Sequence, residues 1–143
     1  MLSLTKIFHF EMAHAIYGYP GSCKNVHGHS YELHVTVTAD HEDQKYIPAP
    51  GYILDFKELK LLVADAIIKT LDHQLVLSVS YQTKNPSFSS HENLVSFEAE
   101  PTAENLLIYI VRILQKQLPE EVKLARLKLF ETKDSYAEWE NSI

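Results

Sequence analysis

The chain has 143 residues, 45% of them hydrophobic and 22% charged, with a formal net charge of −6. That length supports one domain with a sizeable core, and the acidic balance excludes a general nucleic-acid binder, which needs a basic footprint. A single cysteine permits no intrachain disulfide, no apolar run approaches a membrane span, and the N-terminus lacks the basic-then-apolar pattern of a signal peptide. The expectation is a single domain over 1–143 in a reducing, cytoplasmic setting, with neither membrane nor nucleic acid as partner.

In chain order, Leu2, Leu4, Phe8, Phe10, Met12 and His14 fall on alternate positions, the period of a half-buried strand. Gly18, Pro20 and Gly21 supply turn chemistry for a loop over 15–26. From His27 to Thr38 the alternation is strict: His27, His29, Tyr31, Leu33, Val35 and Val37 share one face. Gly28 leaves the other face bare between the two histidines, so another backbone can come close. Folding the second strand against the first brings His14, His27 and His29 to the end of one apolar face. Three imidazoles with an open fourth position suit a catalytic zinc ion, although imidazole also serves copper, iron and nickel. Buried imidazoles without partners are costly, and one metal satisfies all three. Cys23, in the loop between the strands, is either a reactive thiol beside that centre or a fourth ligand that closes a structural His₃Cys site. His9, His34 and His41 read as ordinary histidines.

The segment 39–50 is polar and turn-rich. Asp55-Phe56-Lys57-Glu58 has the form of a capping box and opens a helix running to about Thr70. Phe56, Leu59, Leu62, Val63, Ala66 and Ile67 make its expected buried stripe. Asp72-His73, at the helix end, is either an exposed terminus or an acid–base pair in which the carboxylate orients the ring. The stretch 75–101 reads as a long extended connection, with room for short strands, of the kind that serves as a functional loop or an oligomer contact. No role is assigned to His91 or Glu92 within it. Thr102 caps a second helix whose stripe is Leu106, Leu107, Ile110, Val111, Leu114 and Leu118, stopped by Pro119. A strand follows over about 122–132, with Ala125, Leu127 and Leu129 on one face and Glu131 continuing it as a solvated end or a ligand anchor. A last short strand is expected over 136–139. The order β-β-α-α-β-β gives an α+β domain, an antiparallel sheet with two helices on one face. Its open edges favour pairing between subunits, hence a homo-oligomer.

Taken together these residues resemble the 6-pyruvoyltetrahydropterin synthase / 6-carboxytetrahydropterin synthase family. The motifs are F-x-x-A-H at Phe10–His14, C-x-x-x-H-G-H-x-Y at Cys23–Tyr31, G-x-x-x-D-F-x-x-L-K at Gly51–Lys60, L-D-H at Leu71–His73, P-T-x-E-N at Pro101–Asn105, and E-T at Glu131 and Thr132. They span nearly the whole chain in the right order. The resemblance implies the tunnelling fold, in which sheets of several subunits join into a barrel, commonly a hexamer built as a dimer of trimers, with sites at subunit interfaces.

It further implies that His14, His27 and His29 bind Zn2+. Cys23 would be the general base, with Asp72 and His73 the dyad assisting proton transfer. Glu131 would anchor the pterin 2-amino and ring N–H groups, with Thr102, Glu104 and Thr132 in the same pocket. The implied substrate is 7,8-dihydroneopterin triphosphate. Cys23 lies four positions before His27, and that short gap resembles the carboxy branch, which releases acetaldehyde and triphosphate and leaves 6-carboxy-5,6,7,8-tetrahydropterin for queuosine and other deazapurines. The alternatives are the pyruvoyl branch, which eliminates triphosphate alone, and a non-enzymatic zinc- or pterin-binding module. The stretch 75–101 is longer than the resemblance leads one to expect.

Overall fold

The computed structural model describes residues 1–142. Two long strands, β1 (Ser3–His14) and β2 (His27–Ala39), form an antiparallel pair in unbroken register from Ser3 opposite Thr38 to His14 opposite His27. Alternation then decides the faces. Phe8, Phe10, Met12, Tyr31, Leu33 and Val35 are buried, while Ile7, His9, Glu11 and Ser30 look out from the other side. The strand β5 (Val122–Thr132) pairs with β2, and β6 (Ser135–Glu140) with β5, both antiparallel.

The sheet has six strands in the order β4-β3-β1-β2-β5-β6. Its antiparallel body is the one expected. The stretch 75–101, expected as an extended connection, holds two further strands that run parallel to β1. These are β3 (Gln74–Ser78), paired with Met12–His14, and β4 (Leu94–Phe97) outside it. Parallel neighbours need a crossover. Here the helical segment α1 (residues 56–71) makes the first, and the short helix α2 (Val79–Lys84) with a 3₁₀ turn at Pro86–Ser90 makes the second. Buried Leu75, Leu77 and Tyr81 form a small second core under this flap.

The helix α1 starts at Phe56, where the Asp55 carboxylate accepts the Lys57 N–H at 2.8 Å. It is regular over Phe56–Val63, widens into a π turn at Ala64–Ile68 and closes over Lys69–Leu71. The widening has a packing reason. The fully buried residues are Leu59, Val63, Ile67 and Leu71, each four apart. Four residues overshoot a turn of about 3.6, and a π turn, with more residues per turn, takes up the drift. The expected stripe is corrected at its start: Phe56, the first residue of the helix, is 51% exposed and lies off it. The helix α3 (Ala103–Gln117) buries Leu106, Leu107, Ile110, Val111 and Leu114. Both long helices share one core with the inner face of the sheet, so they lie on the same side of it. No helix of the described residues is long and apolar enough to cross a membrane.

Candidate metal centre and the surrounding site

Because β1 and β2 end opposite each other, the His14–His27 pair closes the ladder and His29 faces Met12 one step back. The three rings meet edge to face, with centroids 4.6–5.1 Å apart. His14 is 2% exposed. Its Nδ1–H donates to the Pro101 carbonyl at 2.7 Å, and the His27 Nδ1–H donates to the Asn25 carbonyl at 2.7 Å. A carbonyl can only accept, so in a neutral ring held this way the proton sits on Nδ1 and Nε2 carries the lone pair. The two Nε2 atoms lie 3.1 Å apart. Two lone pairs at that distance cannot bond to each other; they need a cation between them. Nε2 of His29 is buried without a hydrogen-bond partner.

Burial holds the His14 and His29 pKa values below the ordinary histidine value, so neither ring readily supplies the missing proton. One donor nitrogen from each ring lies within 4.8 Å of the others. Two ligands of a tetrahedral zinc with Zn–N bonds of about 2.0–2.1 Å stand about 3.3 Å apart, so the His14–His27 spacing suits that ion. The carbonyls of Pro101 and Asn25 act as outer partners that fix the tautomers. The residues fit a metal ion. Among the described residues this is the one such group of donors, and Cys23 lies outside it, so a closed His₃Cys arrangement is absent.

Glu131 brings its carboxylate Oε1 to 3.5 Å from His29 Nε2, ion-pair distance but not hydrogen-bond geometry. The β5–β6 ladder shifts register between Phe130 and Thr132, so Glu131 sits on a bulge, a device that re-aims a side chain. Burial, and then the Glu131 charge, push the Tyr31 phenol up, and Tyr31 lies beneath His14 and His29 with ring centroids at 6.2 and 5.6 Å. Glu131 also lines a cavity of about 540 Å³ together with Glu104, Glu138 and Tyr136. Three carboxylates there suit a ligand rich in N–H donors.

The Pro101–Asn105 motif divides its labour. The carbonyl of Pro101 holds His14. The Thr102 hydroxyl caps α3 by accepting the Asn105 N–H at 3.2 Å. Glu104 reaches the cavity. The Asn105 side chain donates to the Glu100 carbonyl at 3.0 Å. Thr132 is placed differently: its hydroxyl accepts the Asp134 N–H at 3.3 Å, and it lines a smaller cavity with His9, Ser30 and Glu32.

Cys23, partly buried, sits on a 3₁₀ turn (Ser22–Lys24), and its carbonyl accepts the Ile16 N–H at 2.9 Å. Asp72 and His73 lie between α1 and β3, against Glu11. The Asp72 Oδ1 accepts the Glu11 N–H at 2.9 Å and pairs with His73 Nδ1 at 3.0 Å. The first of these contacts, helped by the second, holds the Asp72 carboxyl below its usual range. The backbone of His73 has φ +62°, and its N–H donates to the Glu11 carbonyl at 2.6 Å. A non-glycine residue in the left-handed region costs about 1–3 kcal/mol and marks an over-determined position. The His73 side chain is 75% exposed. It lines a cleft of about 540 Å³ with Glu11, Ser30, His29 and His91. Within one chain, then, the histidine cluster and Glu131 come together, Cys23 lies outside the group of donors, and His73 meets the cluster only across the cleft it shares with His29. His91 in that cleft is a residue sequence reasoning missed. It ends a Ser-rich run with no periodicity to mark it.

The 6-pyruvoyl tetrahydropterin synthase family matches residues 3–142. The chain is 28% identical over 144 residues to a 6-carboxy-5,6,7,8-tetrahydropterin synthase of Haemophilus influenzae, covering 98% of this chain and 99% of that one. It is 32% identical over 122 residues to a dihydroneopterin monophosphate aldolase of Pyrococcus furiosus, covering 85% and 82%. The solved 6-pyruvoyl tetrahydropterin synthase of Caenorhabditis elegans shares the fold, with a TM-score of 0.68 at 20% identity over 99% of this chain and 96% of that one. With a donor set that fits a metal and a match over almost its whole length, the chain belongs to the 6-pyruvoyl tetrahydropterin synthase family and is a tetrahydropterin synthase-like lyase.

Proposed function

We propose that the chain converts 7,8-dihydroneopterin triphosphate into 6-carboxy-5,6,7,8-tetrahydropterin with loss of acetaldehyde and triphosphate, serving queuosine-type deazapurine synthesis. The observation that carries the reading is the pair of Nε2 atoms of His14 and His27, 3.1 Å apart, each on a ring whose Nδ1 faces a backbone carbonyl, with the unpartnered His29 nitrogen beside Glu131. In this reading His14, His27 and His29 hold Zn2+, which as a Lewis acid lowers the pKa of side-chain oxygens bound to it. The Glu131 carboxylate takes the pterin 2-amino and ring N–H groups in paired hydrogen bonds, with Glu104, Thr102 and Thr132 in its surroundings. Cys23, as thiolate, removes a proton from the substrate side chain. The Nδ1 of His73 is held by Asp72 at 3.0 Å, which leaves its other nitrogen to exchange a proton with substrate.

The open edges of the sheet and the exposed His73 side chain, which meets its own cluster only across the cleft shared with His29, support a homo-oligomer, a hexamer built as a dimer of trimers, in which one subunit's dyad serves its neighbour's site. The spacing of Cys23 and His27 and the name of the Haemophilus relative favour the carboxy product. The family description favours the pyruvoyl product as the second reading, and the Pyrococcus relative supplies an aldolase as a third.

Zinc-loaded protein incubated with dihydroneopterin triphosphate tests this. Acetaldehyde, triphosphate and the carboxy product in equal amounts support it. Triphosphate without acetaldehyde transfers the chain to the pyruvoyl reading. Turnover of the monophosphate alone transfers it to the aldolase reading.

A further inference from the structure

We infer that Glu100 is a positioning residue that fixes the Cys23 loop against the metal-ligand support. This rests on the reading of Cys23 as the base, but its test does not. Five hydrogen bonds carry the inference. The Glu100 Oε1 accepts the Tyr17 N–H at 2.7 Å, across 83 residues of sequence. The Ile16 N–H next to it donates to the Cys23 carbonyl at 2.9 Å, so the loop 16–23 is closed at its base, one residue from the Glu100 contact. The Glu100 carbonyl accepts both the Thr102 N–H at 2.8 Å and the Asn105 side chain at 3.0 Å, which ties Glu100 to the first turn of α3. The next residue, Pro101, presents the carbonyl that fixes His14.

One short segment therefore holds the metal ligand through its backbone and the thiol loop through a side chain. The loop has few other restraints. Tyr17 and Tyr19 are exposed, the loop has no buried residue between Ala15 and Val26, and Gly21 packs under the Tyr19 ring so closely that a Cβ there would lie 2.7 Å from it. A charged acceptor on a backbone N–H is among the stronger single hydrogen bonds. Catalysis by positioning loses much from displacements of about 1 Å.

The test compares wild type, Glu100→Ala and Glu100→Gln in the zinc-loaded full chain. Three quantities are read: the alkylation rate of Cys23 by iodoacetamide across pH, hydrogen exchange of the Tyr17 amide, and zinc stoichiometry. Glu100→Ala is expected to free the Tyr17 amide to exchange and raise the alkylation rate severalfold, with zinc content unchanged. Glu100→Gln keeps an oxygen acceptor and is expected to restore both. Where turnover is measurable, kcat of Glu100→Ala falls about tenfold with little change in KM, as for loss of alignment rather than of binding. Alkylation and exchange equal to wild type in Glu100→Ala overturn the inference whatever the turnover. Loss of zinc in step with any change also overturns it, because Glu100 would then act through His14 and not through the loop. Absence of turnover in all three proteins, with the alkylation difference present, sinks the reading of the reaction and leaves the hold on the loop established.

Discussion

Replacing His29 by leucine should make the metal-free protein more stable and, at the same time, deaf to zinc. His29 Nε2 is buried with no hydrogen-bond partner, and its side chain is 17% exposed. A buried unsatisfied polar atom costs about 1–3 kcal/mol, and partial exposure places this one in the lower half, about 1–2 kcal/mol. Leucine is close to histidine in volume, keeps the packing against His14 and His27, and removes the orphan. For a domain of this size about 1 kcal/mol corresponds to about 2–4 °C in Tm, so metal-free His29→Leu should melt about 2–8 °C above metal-free wild type. Zinc at about 100 times its Kd adds about 2.7 kcal/mol to the wild type, whereas the variant has lost one of three ligands. Differential scanning calorimetry with EDTA and with excess zinc reads both effects. A metal-free variant that melts below wild type, or an equal zinc shift in the two proteins, would refute the argument that these imidazoles are arranged for a cation rather than for each other.

Cys23→Ala should keep one zinc per chain, because the thiol lies outside the donor group, while turnover falls at least a hundredfold; metal analysis beside a product assay checks both halves. Thr102→Ala should cost about 1 kcal/mol through loss of the α3 cap, and Thr102→Ser should restore it, both read by urea unfolding. Burial sets the His14 and His29 pKa values below the ordinary 6.5. An unfolded chain thus binds more protons than the folded one once pH falls below about 6.5. Stability of the metal-free protein should accordingly fall as pH drops from there toward the folded values, with a slope no steeper than about 1.4 kcal/mol per pH unit for each histidine. A melting temperature flat or rising from about pH 7 to about pH 5 would contradict the neutral, buried state of the cluster.

What the sequence determined by itself is local and periodic. Alternation over Leu4–His14 and His27–Thr38 fixed which side chains share a face, and so placed His14, His27 and His29 together before any fold was known. Asp55 and Thr102, each ahead of an apolar stripe, marked both long helices at the residues where their caps form. What needed the tertiary structure is everything set by partners distant in sequence. Four-residue runs such as Leu94–Phe97 have no period of their own, and become strands because parallel pairing with β3, itself seated beside β1, satisfies their backbone.

The π turn that keeps Ile67 and Leu71 in line with Leu59 and Val63 answers to the shape of the core rather than to helix propensity. Glu131 could be read as a strand end or as an anchor until a register shift on β5 aimed it at His29. The cleft that His29 and His73 share was likewise invisible, because it depends on where the chain passes after α1. The bond from Tyr17 to Glu100 spans 83 residues and leaves no trace in either neighbourhood. Side-chain periodicity is written into the order of residues; register, edges and cross-chain contacts are settled only when the whole core closes.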